Sequence, residues 1–459
     1  MLERSRVVWS RLSPPLETTA ARSSAADFGR HAFTLATGTA LAQAVPFAAA
    51  PLLTRLYSPP EFGSFGLFLA LVAILTIVAT GRYEAAVLLP CDEDDAAQLV
   101  VLVTLFTTGV SLLVLVAAVA WQEPLGHVFR AADLSSWIYW VPATVLLTGI
   151  YQALNYWFNR RREYRHLAVN RIWRSLVTIA VSLVLGFVWP VHGGLIIAVA
   201  VGQGVATVLF TVRWCRERRA HGWRLAPARM YAMACRYERF LRYSVIGDTV
   251  NSITGQMPVF ILGGFFGPMV VGQYSLTQRI SSGPSTIVAA AIGDVFRQQA
   301  SEDIQRTGNC RRVWLRTFKA LLALSVPCYA VVFVAAPTLF PLLFGPQWQT
   351  AGIYARLLTP FFMFSFTASI LGRTLTVAER QREDMIWQVV LAILILVSLL
   401  AGASQGSADL ALALYTLGYC AMYVAYLLMS YHYSGGVTIG TTAEIVIAEP
   451  VQLHTGRVL

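Results

Sequence analysis

The feature that most constrains this chain is a succession of apolar stretches, each about twenty residues long, running from residue 34 to residue 431. About twenty residues of α-helix cover the hydrocarbon core of a bilayer, and such a segment satisfies its backbone hydrogen bonds internally, as the lipid requires. Twelve stretches have the length: 34–54, 62–81, 98–121, 136–158, 172–189, 193–213, 243–265, 270–293, 317–338, 351–372, 386–404 and 409–431. None shows the alternation of a membrane β-strand. Composition agrees, since only 13% of the residues are charged, against about 25% in soluble domains. The expected fold is an all-α polytopic membrane protein of about twelve transmembrane helices.

Cations alternate from connection to connection. Of the 35 Lys and Arg residues, thirty fall on one side of the spans: the first 33 residues, the connections after helices 4, 6, 8 and 10, and the tail. Arg55, Arg130 and Arg356 fall on the other, and Arg82 and Arg279 lie at or within spans. The positive-inside rule then places both termini in the cytoplasm. The acidic run Cys91–Asp95 lands on the same side, where acids weigh little in that rule. The net charge of +11 reads as topology and attraction to anionic lipid headgroups, with no soluble domain to bind nucleic acid. Six cysteines without a CxxC pair give no disulfide framework and no metal site. Residues 1–33 lack an apolar core and read as a cytoplasmic arm rather than a cleaved signal. No phosphate-binding GxxxxGK[ST] loop occurs, and no cofactor is expected.

The longest basic connection divides the chain. The expected organisation is an N-terminal arm (1–33), an N-lobe (34–213), a basic connection (214–241), a C-lobe (242–431) and a cytoplasmic tail (432–459). The lobes echo one another. Residues 48–68 read AAAPLLTRLYSPPEFGSFGLF and residues 257–277 read MPVFILGGFFGPMVVGQYSLT. Four of these 21 positions are identical, among them Pro59/Pro268, Gly63/Gly272 and Leu67/Leu276. Each copy ends an apolar helix at a proline turn and places a glycine four residues later. Internal repeats of this kind build many secondary transporters, so two six-helix lobes related by the repeat are expected.

Several stretches resemble a known family. PLLTRLYSPPEFGSFGLFLALVAILTIVATGRYEAAVLLPCDEDDAAQL is similar to the opening helices of bacterial polysaccharide (O-antigen-type) flippases, in the polysaccharide-transporter branch of the multidrug/oligosaccharidyl-lipid/polysaccharide exporter superfamily. NYWFNRRREYRHLAVNRI, FGPMVVGQYSLTQRISSGPSTIVAAAIGDVFRQQAS and LLFGPQWQTAGIYARLLTP match as well, covering most of residues 28–430. The resemblance implies a two-lobed carrier that moves an undecaprenyl-diphosphate-linked oligosaccharide from the cytoplasmic to the periplasmic leaflet of the bacterial inner membrane. Membrane lipids, a polysaccharide polymerase and chain-length machinery are its implied partners, and O-antigen, capsule or exopolysaccharide its implied product. Two other readings compete. A drug/cation antiporter would need deep acidic groups, and Asp248 alone is clear. A membrane polymerase or ligase would need a large external loop, whereas the outward connections stay within roughly 15 residues.

Charge at the bilayer centre costs about 2.5–3.5 kcal/mol on insertion scales, so polar residues inside spans mark the expected substrate path. Helix 7 carries Asp248, Asn251, Ser252 and Gln256 at spacings that share one face. Asp248 reads as a coupling acid, a hydroxyl binder or a polar helix contact. Helix 8 carries Gln278 and Arg279. The guanidinium fork suits a phosphate or anionic sugar, and a pairing of Arg279 with Asp248 is the alternative. Helix 4 offers Gln152 and Asn155 beside Tyr151 and Tyr156, suited to sugars or to an interfacial belt. Arg55, Arg82 and Glu84 lie near span ends, as headgroup contacts on entry and exit by the resemblance or as interfacial anchors. Arg82 and Glu84, two residues apart, would not face each other on a helix.

Overall fold

The computed structural model describes residues 42–128, 137–188, 193–223, 226–378 and 380–435. The arm 1–33, Arg130 and the tail beyond Gly435 lie outside the described residues. Among those described, twelve long helices follow one another: α1 (residues 42–56), α2 (Pro59–Thr80), α3 (Glu93–Val128), α4 (Trp140–Arg160), α5 (Tyr164–Phe187), α6 (Gly194–His221), α7 (Val245–Phe266), α8 (Pro268–Thr307), α9 (Arg311–Phe344), α10 (Gln349–Leu371), α11 (Gln381–Ser404) and α12 (Ala408–Ser434). Eight are long and apolar enough to cross a membrane by length and composition; α4, α7 and α8 are not among them. Those three hold most of the polar residues singled out above.

Local sequence sets the helix ends. Ser58 opens α2, and the Glu61 carboxylate accepts from both the Ser58 backbone N–H and its hydroxyl at 2.8 Å, a capping arrangement that occupies an orphan donor. Pro59 and Pro268 sit at the first helical positions of α2 and α8, where a missing N–H leaves no bond unmade. Glu93, Asp94 and Asp95 fill the first turn of α3, where the helix dipole favours anions. Glu93 also pairs with Arg161 at 3.3 Å and Asp94 with Arg229 at 3.7 Å. The acidic run thus neutralises part of the basic end it shares. Helix α8 runs to Thr307, past the apolar stretch that ends at 293, and stops at Gly308, whose left-handed backbone caps the Ile304 carbonyl.

The lobes are unequally joined. One apolar core holds Leu53, Phe62, Phe65 and Phe68 of the first lobe together with Leu276, Phe340, Trp348 and Ala351 of the second. Another, at the arginine-rich end, is drawn from the first lobe and its connection alone, with Leu99, Trp157, Phe158 and Phe210 at its centre. Outward faces remain apolar: Leu105, Leu112, Leu113 and Val116 of α3 and Ile386, Val389 and Ile393 of α11 are exposed, as lipid-facing surfaces must be.

Candidate functional site

The two copies of the repeat meet each other. A Cβ on Gly63 would stand 1.7 Å from the Pro268 carbonyl oxygen, and one on Gly272 would stand 1.8 Å from the Pro59 carbonyl oxygen. Each glycine therefore receives the backbone of the other hairpin, a reciprocal contact between α2 and α8 that only a residue without a side chain admits. Small residues let membrane helices approach this closely. Polar locks surround the contact. The indole N–H of Trp348 donates to the Thr54 carbonyl at 3.0 Å and the Gln347 amide to the same oxygen at 2.7 Å. Gln273 donates to the Gln347 carbonyl at 2.8 Å and accepts from the Ala351 N–H at 2.9 Å. Phe62 meets Trp348 edge to face, centroids 5.1 Å apart. The segment LLFGPQWQTAG is thus the clamp that ties the second lobe to α1 and α2.

At the arginine-rich end the link between α2 and α7 is slight. Gly81 and Arg82 both adopt left-handed backbone, at φ 59° and 56°, which turns the chain sharply out of α2. The turn lets Arg82 reach Glu84 at 3.3 Å and Asp248 of α7 at 2.5 Å. Arg82 and Glu84 do face each other, contrary to the helical expectation, because Arg82 stands outside any helix. Glu84 is buried to 1% exposure, and that burial pushes its carboxyl up from the ordinary range while Arg82 pulls it down. Asp248 is committed to Arg82 and forms no pair with Arg279.

Between these ends lie the polar faces. Arg279 is exposed although it sits within α8, about 10 Å along the helix from Gly272 at 1.5 Å per residue. It enters no ion pair among the described residues. Beside it the side-chain oxygen of Gln278 is buried without a partner among those described. In the first lobe the Asn155 side-chain oxygen is likewise unpaired, Gln152 is half-buried one turn away, and Gln256 is half-buried on α7. Arg55 is exposed at the clamped end. Asn251 lines a cavity between α7, α10, α11 and α12. The structure therefore joins Arg82, Glu84 and Asp248 in one cluster and leaves Arg279, Arg55 and Asn155 apart from it. Sequence reasoning missed Arg174, counted with the loop after helix 4. It lies inside α5, donates to Gln203 at 3.2 Å and stands 5.3 Å over the ring of Tyr151. A helix reading of YRHLAVNRIWRSL from Tyr164 would have found it.

Two six-helix lobes related by a repeat, clamped at one end and carrying polar residues on α4, α7 and α8, define a multi-pass membrane protein of two-lobed transporter architecture. Solved structures share the fold. The lipid II flippase MurJ in an inward closed conformation superposes with a TM-score of 0.68 at 10% identity, covering 87% of each chain. An inward-facing multidrug resistance MATE family transporter of the MOP superfamily superposes at 0.62 and 11% identity, over 86% of this chain and 94% of its own. The chain belongs to the polysaccharide biosynthesis protein family, whose model matches residues 52–352. It is 25% identical over 314 residues to the succinoglycan biosynthesis transport protein ExoT of Rhizobium meliloti, across 66% of this chain and 60% of that protein. It is 21% identical over 157 residues to the amylovoran biosynthesis protein AmsL of Erwinia amylovora, across 34% of this chain and 40% of that one. The chain thus spans less than two thirds of the length of the curated relatives it matches.

Proposed function

We propose that the protein flips an undecaprenyl-diphosphate-linked oligosaccharide across the bacterial inner membrane by alternating access, from the cytoplasmic to the periplasmic leaflet. The arginine-rich end and both termini are cytoplasmic in this reading, and the clamped hairpin end is periplasmic. The observation that carries it is Arg279, an exposed guanidinium within α8 with no counter-ion among the described residues. A diphosphate would supply the charge that Arg279 lacks, and a guanidinium fork binds such oxygens in pairs. Gln278, Asn155, Gln152 and Gln256 offer amides for sugar hydroxyls along the path, and Arg55 meets the headgroup at its exit. Arg82, Glu84 and Asp248 guard the entry.

The relatives' names favour an exopolysaccharide over an O-antigen or capsule, and a polymerase with its chain-length machinery is the natural recipient of the flipped unit. Coupling to an ion gradient is energetically sufficient, since one charge crossing 100 mV is worth about 2.3 kcal/mol. A cation antiporter is less well supported, because Asp248 is already neutralised by Arg82.

The test is reconstitution into vesicles with a labelled undecaprenyl-diphosphate oligosaccharide from the host strain, following its accessibility from the second leaflet. Wild type should accelerate exchange. Arg279→Ala should cost at least a hundredfold in rate, about 2.7 kcal/mol at 1.36 kcal/mol per tenfold, while inserting normally. No acceleration by wild type would sink the reading; an unimpaired Arg279→Ala would remove Arg279 from it.

A further inference from the structure

The cavity that Asn251 lines lies within the second lobe and holds about 660 Å³, inside the range of small-molecule sites, about 300–1,000 Å³. One wall is aromatic. Tyr419, Tyr423 and Tyr426 occupy successive turns of α12, the first two with ring centroids 5.4 Å apart. Trp387 of α11 lies 4.2 Å from Tyr426 and 5.8 Å from Tyr423. The polar edges of these rings are tied down. The Trp387 indole N–H donates to the Met422 carbonyl at 3.0 Å, the Tyr426 hydroxyl to Asp384 at 2.7 Å, and the Tyr423 hydroxyl to Ser365 at 3.3 Å.

The facing wall, on α7, opens at two glycines. Gly247, Asn251 and Gly255 follow at four-residue intervals on one helix face, and a Cβ at either glycine would meet nothing within 4 Å. Glycine inside a helix is less favourable than alanine, so these two weaken α7 with no steric need to do so; what they gain is open space. Polar groups border that space. Arg373 is anchored by Asp294 at 2.6 Å, and Gln388 donates to the second oxygen of Asp384 at 2.8 Å.

We propose that this cavity docks a pyranose ring of the glycan. The aromatic wall stacks on the apolar C–H face of the sugar, while Asn251, Gln388 and Arg373 bond the hydroxyls at its edge. The inference rests on the flipping reading and divides the substrate in two: the anionic diphosphate at Arg279, the sugar in the second lobe. A lipid tail is a poor occupant, because it would desolvate Arg373 and Asn251 without bonding them. An organic cation is disfavoured by the Arg373 guanidinium on the same cavity wall, since like charges repel.

Gly255→Leu fills the cavity from a position where a Cβ meets nothing within 4 Å. Gly109→Leu, on α3 where a Cβ also meets nothing within 4 Å, is the matched control. In a strain lacking the native gene, Gly255→Leu should lower exported polysaccharide at least tenfold at unchanged protein level, and Gly109→Leu should restore it fully. Independently of that variant's folding, p-benzoylphenylalanine at Met385, on the cavity wall, should give a hexose-bearing adduct by mass spectrometry when native membranes are irradiated. Normal export by Gly255→Leu, or an adduct carrying phospholipid alone, overturns the proposal and leaves the flipping reading intact. A deletion strain that exports polysaccharide and accumulates no lipid-linked saccharide overturns both.

Discussion

The clamped end and the arginine-rich end hold the same two lobes together by different physics. At the first, two backbones touch through Gly63 and Gly272, a shared apolar core surrounds them, and two buried or half-buried bonds from Gln347 and Trp348 reach the Thr54 carbonyl of the first lobe, with Gln273 bracing that segment within the second. At the second, Asp248 is 37% exposed and Arg82 30%, so their ion pair is screened, and such pairs contribute about 0–1 kcal/mol. The α7 residues buried in the fold run from Thr254 to Gly263 and include none near its start. Steric fit and excluded water secure one end, whereas solvated charge holds the other. In the proposed transport cycle, ends so unequal leave the clamp shut at rest, and a substrate entering from the arginine-rich side supplies the energy to open it.

Gly63→Leu should break that inequality with the largest effect. A side chain there cannot avoid the Pro268 carbonyl, and overpacking a tight contact costs about 1–3 kcal/mol, up to roughly a hundredfold in the shut-to-open ratio. Gly272→Leu should match it, because the contact is reciprocal. The readout is labelling of a single cysteine at Ser64, in a background without the six native ones, by a membrane-impermeant maleimide. Unchanged labelling in both variants would mean that the hairpins do not form the gate.

A smaller change is expected from the other end. Arg82→Gly removes the guanidinium and also relieves the left-handed backbone, which for a residue with a side chain costs about 1–2 kcal/mol. Arg82→Ala removes the charge and keeps the strain. Arg82→Gly should therefore melt about 1 kcal/mol more stable than Arg82→Ala in detergent, while both lose the same coupling to Asp248→Asn in a double-mutant cycle. Equal stability of the two variants would show that the turn is not strained.

Much of this contrast was legible in the sequence, and the missing part has a physical reason. Twenty-residue apolar stretches specify membrane helices, and the matched Pro59–Gly63 and Pro268–Gly272 elements gave the repeat. That the two elements touch is a contact across some two hundred residues of chain, which no local pattern encodes. Hydropathy placed the end of helix 8 at 293 because it reports where lipid stops; the backbone continues helical past Gly293 to Thr307, where Gly308 caps it. The Arg82–Glu84 pair was hidden by the assumption of helical geometry at a residue that is left-handed. Arg279 was singled out because a cation in a span is visible wherever it points. The tyrosines of α12 also repeat visibly, but a stripe at helical spacing does not say whether it faces a core, lipid or a cavity.

The smallest effect belongs to Glu84, and its sign sharpens the picture of the weak end. Burial raises its carboxyl above the unfolded value near 4.5, with Arg82 opposing. The folded chain therefore holds that proton more tightly than the unfolded chain does. Below the unfolded value Glu84 is neutral in both states and the stabilisation is fully present; it is lost as pH rises through the folded value. Glu84→Gln keeps the neutral shape at every pH, so the detergent-solubilised variant should melt slightly above wild type at pH 8 and level with it at pH 4. A variant that melts lower at pH 8 would show instead that the ionised Glu84 stabilises the fold through Arg82. The arginine-rich end would then be held by a three-membered charge cluster rather than by one screened pair.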